Sequence, residues 1–295
     1  MSLFFILTLL IFEIHAGLVE PCAKWDKLPV KICRGTKGIY ASFNDALEAD
    51  HRSTKRLKRA FKNEKLSELE IVTSNNLSPE KDQLWEMSKY EIKKEFTKER
   101  TGIYFEFVET DNLEDCDSVL FFSTSLNGYE GLSSIGKRSG ASNRNVVTNK
   151  KMKTPSFTFL NVGKNIDKSK DEDFSFSFKN TLIHEIGHLA GLKHAHEYKK
   201  EYDEFFETNE SVKKSKTSVD VCGLDPYSIM SYHYLNWVEE TVEALKSVPS
   251  TSFCPPENRT PSELSKSRLS DNDMMSLRCL YDQGQNCPKI ECKKK

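Results

Sequence analysis

Residues 181–197 read TLIHEIGHLAGLKHAHE and hold four of the seven histidines in the chain. The surrounding stretch FKNTLIHEIGHLAG (178–191) reads as a helix, and His184 and His188 lie four residues apart within it. That spacing stacks two side chains on one helix face. Two imidazoles so placed can supply two ligands of a tetrahedral zinc at about 2.0–2.1 Å. Glu185 sits beside that face, where its carboxylate serves as a general base rather than as a ligand. Gly191 can take positive φ without steric cost, so it ends the helix in a sharp turn. The turn swings His194 back as the third ligand. Isolated surface histidines, an adequate account of His15, His51 or His233 singly, do not explain this spacing.

Outward from the histidines, the segment DPYSIMSYHY (225–234) carries Met230 and Tyr232 in a turn-forming context. The full pattern H-E-x-x-H-x-x-G-x-x-H, followed by this methionine turn, resembles the metzincin clan of zinc peptidases. The resemblance extends over roughly 68–282. WEMSKYEIKKEFTKERTGIYFEFVE (85–109) is similar to the first long helix and following strand of astacins and matrixins. GLSSIGKRSGA (131–141) looks like their edge-strand region, and LSDNDMMSLRCLY (269–281) is similar to their closing helix. Ala195 departs from the marker residue that each subgroup places after its third ligand, so the clan is indicated more firmly than an astacin-like or matrixin-like subgroup.

The resemblance implies an α+β fold. A twisted, mixed five-stranded sheet with two long helices would form an N-terminal lobe. A small irregular C-terminal lobe would carry the methionine turn and the closing helix. It also implies roles. His184, His188 and His194 would hold Zn2+, with Met230 as an apolar floor beneath them. Tyr232 would be a second catalytic residue beside Glu185, hydrogen-bonding the transition-state oxyanion. The implied activity is a zinc-dependent endopeptidase working through metal-activated water. Its partners would be protein or peptide substrates, bound extended along an edge strand at 131–137. The competing reading is a zinc-binding module that does not cut. Glu185 argues against it, because a purely structural site gains nothing from a general base there.

Composition bounds the rest. The net charge is −1 with 29% charged residues, which leaves no nucleic-acid footprint. The basic strip RSTKRLKRAFK (52–62) is punctuated by Leu57, Ala60 and Phe61 at helical spacing, as on the wet face of a helix. Residues 1–16 read as a signal peptide, with a short apolar run at Leu3–Phe12 and Ala16 at the cleavage point. No later segment is apolar enough for a membrane span. All eight cysteines follow that leader, and none forms a C-x-x-C pair, which points to disulfides in an exported chain. Three cysteines precede the histidines and five follow, so full pairing needs at least one bridge between the halves. A secreted, extracellular monomer is therefore expected, or a periplasmic one in a bacterium. The domain reading is 1–16 leader, 17–65 N-terminal segment (pro-segment or start of the mature domain), 66–282 peptidase domain and 283–295 basic tail with cysteines.

Locally, 25–33 reads as a strand, 42–63 as a helix capped by Ser42, and 68–74 as a strand. A helix opens at Ser78–Pro79 and closes at Gly102. IYFEFVE (103–109), DSVLFFST (117–124) and PSFTFLNV (155–162) read as strands, 195–226 as a charged surface excursion, and 269–282 as a final helix capped by Ser270 or Asp271.

Overall fold

The computed structural model describes residues 18–48, 79–124, 130–137, 143–144, 151–152, 155–162, 172–194, 219–220, 228–230, 268–282 and 287–292. Its centre is set by two uncharged, almost wholly buried strands, β4 (Ser118–Ser123) and β8 (Ser156–Asn161). A strand whose side chains are apolar on both sides needs cover on both faces. Accordingly Val119, Phe121, Phe157 and Phe159 enter one cluster, while Leu120, Phe122 and Leu160 enter another. The alternation is the period of two that the pleat dictates.

Three more strands complete a mixed five-stranded sheet: β2 (Val30–Arg34), β3 (Phe105–Val108) and β5 (Gly131–Ser133), in the order β3-β2-β4-β8-β5. The first four run parallel, and β5 is an antiparallel edge. Helix α1 (Lys37–Glu48) covers one face through Ile39, Tyr40, Phe43 and Ala46, a helical stripe packed against Phe121 and Phe157. Helices α2 (Pro79–Glu95) and α4 (Glu172–Ala190) cover the other through Leu84, Trp85, Ile92, Phe178, Leu182 and Ile186. Glu91 joins these two helices by an ion pair to Lys179 at 3.0 Å.

Some boundaries differ from the sequence expectation. Helix α1 begins five residues before Ser42: the Thr36 hydroxyl accepts from the Ile39 N–H and caps it, leaving Ser42 in the interior. The long helix expected to reach Gly102 stops at Glu95. Thr97 caps a separate short helix, α3 (Lys98–Thr101), which Gly102 ends at φ +72°. The strand expected at 25–33 spans Val30–Arg34. The expected leader at 1–16, the basic strip, the strand at 68–74 and nearly all of 195–226 lie outside the described residues.

The closing helix α5 (Asp271–Tyr281) has a capping box between Ser270 and Asp273 and buries Leu277 and Leu280 in the α4 cluster. The minor strands are β1 (Leu18–Val19) paired antiparallel with β9 (Val219–Asp220), and β6 (Asn143–Arg144) paired with β7 (Lys151–Met152). Three disulfides occur among the described residues: Cys22–Cys292, Cys33–Cys116 and Cys279–Cys287. Cys22–Cys292 is the bridge between the halves that cysteine parity called for. No described helix is long and apolar enough to cross a membrane.

Candidate metal centre

Helix α4 presents His184 and His188 one turn apart, and their rings meet edge to face with centroids 4.9 Å apart. The helix ends in a Schellman motif at Gly191, whose φ is +108°. The Leu192 N–H donates to Gly187 O and the Gly191 N–H to His188 O, both at 2.9 Å. A side chain at position 191 would strain this backbone and would also meet Leu280 Cδ2 at 2.8 Å. The reversed chain brings His194 Nε2 to 2.8 Å from His188 Nε2 and 3.1 Å from His184 Nε2.

The second ring nitrogens of His184 and His188 are tied down. His184 Nδ1–H donates to Ile229 O at 2.7 Å, and His188 Nδ1–H donates to Leu192 O at 2.9 Å. Carbonyls only accept, so each of these rings, when neutral, carries its proton on Nδ1 and turns an Nε2 lone pair inward. Burial pushes the His184 pKa down and so favours the neutral ring, while the bond to Ile229 pulls the other way and offsets part of that shift. Two inward lone pairs against a third imidazole nitrogen cannot all be settled by hydrogen bonds among themselves. A metal cation satisfies all three, so the donor set fits one, and the three histidines form a cluster able to hold a metal ion. The chemistry of imidazole donors is that of zinc and its neighbours.

Glu185 is buried, and among the described residues its Oε2 has no hydrogen-bond partner. Desolvation pushes its pKa up to about 8. Its room comes from Gly131 at the start of β5: a Cβ there would sit 2.6 Å from Glu185 Cγ and 2.7 Å from Oε1. Gly187 plays a similar part for Met230, whose Sδ would be 2.8 Å from an added Cβ. Ile229 and Met230 are buried in a turn, with Met230 packed against α4 within the core.

The turn is held from α5. Asp273 Oδ1 accepts from the Ser228 hydroxyl at 2.6 Å, and Oδ2 accepts from the Ile229 N–H at 3.2 Å. Burial raises the Asp273 pKa against the pull of these bonds. Thus Asp273 fixes Ile229, and Ile229 orients His184. The open carbonyls at the end of α4 are also met from afar: Trp25 Nε1–H donates to Leu189 O and Tyr281 O–H to Ala190 O, both at 2.9 Å.

The histidines, Glu185 and Met230 predicted from sequence are therefore placed together. Tyr232, Ala195 and His196 lie outside the described residues. Gly131, Asp273, Ser228 and Trp25 were not legible as supports of the site. Gly187 alone gave a signal, as a glycine inside a helical pattern.

Comparison with known proteins gives a consistent family. A reprolysin-type family model described as metallo-peptidase family M12 matches residues 42–241. No curated protein matches. Among solved structures, a chain of the "GM1 bound form of the ECX AB5 holotoxin" aligns with a TM-score of 0.38 and 12% identity, over 92% of this chain and 86% of that one. A TM-score that low does not carry fold or function across.

Proposed function

The chain belongs to metallo-peptidase family M12, and from that premise we propose that it is a secreted zinc-dependent endopeptidase. The observation that carries this reading is the convergence of three imidazole Nε2 atoms, two with their second nitrogen fixed to a backbone carbonyl, on the helix that bears Glu185. His184, His188 and His194 are the proposed zinc ligands. A zinc ion held there supplies a Lewis acid and makes water acidic near neutral pH.

Glu185 is the proposed general base. Its buried carboxylate takes a proton from the attacking water and returns it to the departing amine. Its burial and raised pKa support that role, and among the described residues its Oε2 is not spent on a structural bond. Met230 is the proposed apolar floor below the imidazoles, and Tyr232 the partner of the oxyanion as charge develops. Strand β5 lies at the sheet edge beside Glu185, so an extended substrate can add to it as a further strand. That geometry favours cleavage within chains over trimming at ends. The three disulfides support export to an oxidising compartment. Strand β2 lies between β3 and β4, so we assign residues 19–34 to the working enzyme and not to a removable pro-segment.

The test is digestion of casein by the zinc-loaded protein, with and without 1,10-phenanthroline, beside Glu185→Ala. Cleavage abolished by the chelator, and reduced about 100-fold or more in the variant, is expected. A zinc-loaded wild type that cuts nothing would leave a silent binding module, and a fully active variant would remove Glu185 as the base.

A further inference from the structure

His184 and His188 ride on α4, but His194 lies beyond Gly191 and takes its position from the chain Leu192–His194. Much of what holds that chain comes from residues more than 170 positions away, at the start of the described structure. Val19 bridges Leu192 in antiparallel fashion, and the Glu20 N–H donates to Gly191 O at 3.0 Å. The Glu20 carboxylate then pairs with Lys193 Nζ at 3.3 Å, with side chains 13% and 7% exposed. Separating two ionic groups this shielded from water would leave each without its partner, so the pair constrains where residue 193 can sit. Residue 193 immediately precedes the third histidine.

The segment that carries Glu20 is itself braced, which lets it act as a fixed reference. Cys22 is bonded to Cys292, and Trp25 is hydrogen-bonded to the end of α4. Ala23 O accepts from the Lys137 N–H at 2.6 Å, beside β5, and Lys137 pairs with Asp26.

We propose that Glu20 is a positioning residue of the metal centre, holding His194 in register with His184 and His188 through the buried ion pair to Lys193. The inference rests on the reading of those histidines as a zinc site and adds a residue to it from the opposite end of the chain. It predicts that the site weakens when Glu20 is replaced by a neutral residue, although its carboxylate pairs with Lys193 and is not one of the three clustered donors.

The experiment measures zinc transfer from the full-length, zinc-loaded protein to a chromogenic chelator, alongside thermal melting, for five proteins. These are wild type, Glu20→Gln, the neutral pair Glu20→Gln with Lys193→Gln, the reversed pair Glu20→Lys with Lys193→Glu, and His194→Ala. Loss of such an outer partner typically weakens a metal site 10–100-fold. Zinc release about 10-fold faster or more is expected for Glu20→Gln and for the neutral pair, with recovery toward wild type in the reversed pair. The neutral pair leaves no buried charge behind, so it stays informative if Glu20→Gln fails to fold. A neutral pair that melts cooperatively and keeps zinc at the wild-type rate overturns the proposal. So does a reversed pair that folds yet releases zinc as fast as the neutral pair. If His194→Ala also binds zinc like wild type, the zinc-site reading fails. If His194→Ala loses zinc and the Glu20 variants keep it, the positioning role alone fails.

Discussion

Glu185 gives the most direct residue-scale consequence. In its proposed role as base it works only when unprotonated, so activity should rise as pH climbs through its pKa. Burial lifts that pKa toward about 8, while a cation held by the neighbouring histidines favours the carboxylate and draws it back. The acid limb of kcat/KM is therefore expected above the usual carboxylate range and below about 8. It should be absent from any residual activity of Glu185→Gln. A limb near the pH of an exposed glutamate would place the base elsewhere. Gly131 is the matching steric control. A methyl group added there would overlap the Glu185 side chain, and displacement of about 1 Å can cost roughly 100-fold in rate. Gly131→Ala should lose kcat/KM by about that factor at unchanged zinc content, read by elemental analysis. Unimpaired turnover would mean that the carboxylate has slack.

At the scale of elements, two helices share the work. Helix α4 carries two histidines and Glu185, the proposed base, and α5 reaches across to hold the turn that orients His184. Removing the Asp273 carboxylate leaves the Ser228 hydroxyl and the Ile229 N–H without this acceptor. Each such buried loss costs about 1–3 kcal/mol. Asp273→Ala should lower stability by roughly 3 kcal/mol in urea denaturation and release zinc faster. Asp273→Asn, which keeps one acceptor oxygen, should fall between it and wild type. Wild-type stability in Asp273→Ala would mean that other bonds hold the turn. These supports also show what a sequence conveys. The histidines and Glu185 were legible because helical spacing and a glycine stop are local rules. Met230 was legible only by resemblance, since one methionine has no period. Asp273, Trp25 and Glu20 were not legible as supports, because their partners lie 44, 164 and 173 residues away, counting from Ile229, Leu189 and Lys193. The start of α1 was misplaced for a local reason. Gly35 and Gly38 flank the true cap, Thr36, and glycine weakens a helical reading, whereas Ser42 carries a favoured capping side chain.

For the whole molecule, the sheet divides two apolar layers, and the strands buried on both faces announced it as near-continuous apolar runs. The order of those strands was less visible. Parallel pairing joins residues as distant as Val30 and Phe105, which no local pattern links. That pairing has a consequence for handling the protein. Between α1 and α2 runs a stretch rich in lysine and arginine, at 52–62. Trypsin scission there would not free the leading fragment, because β2 is wedged between two strands of the trailing one, and Cys22–Cys292 and Cys33–Cys116 rivet the pieces together. Nicked material should therefore migrate as one band on a gel without reductant and as two with it, while still digesting casein. If the small fragment instead washes away unreduced, those two cross-links are not as drawn.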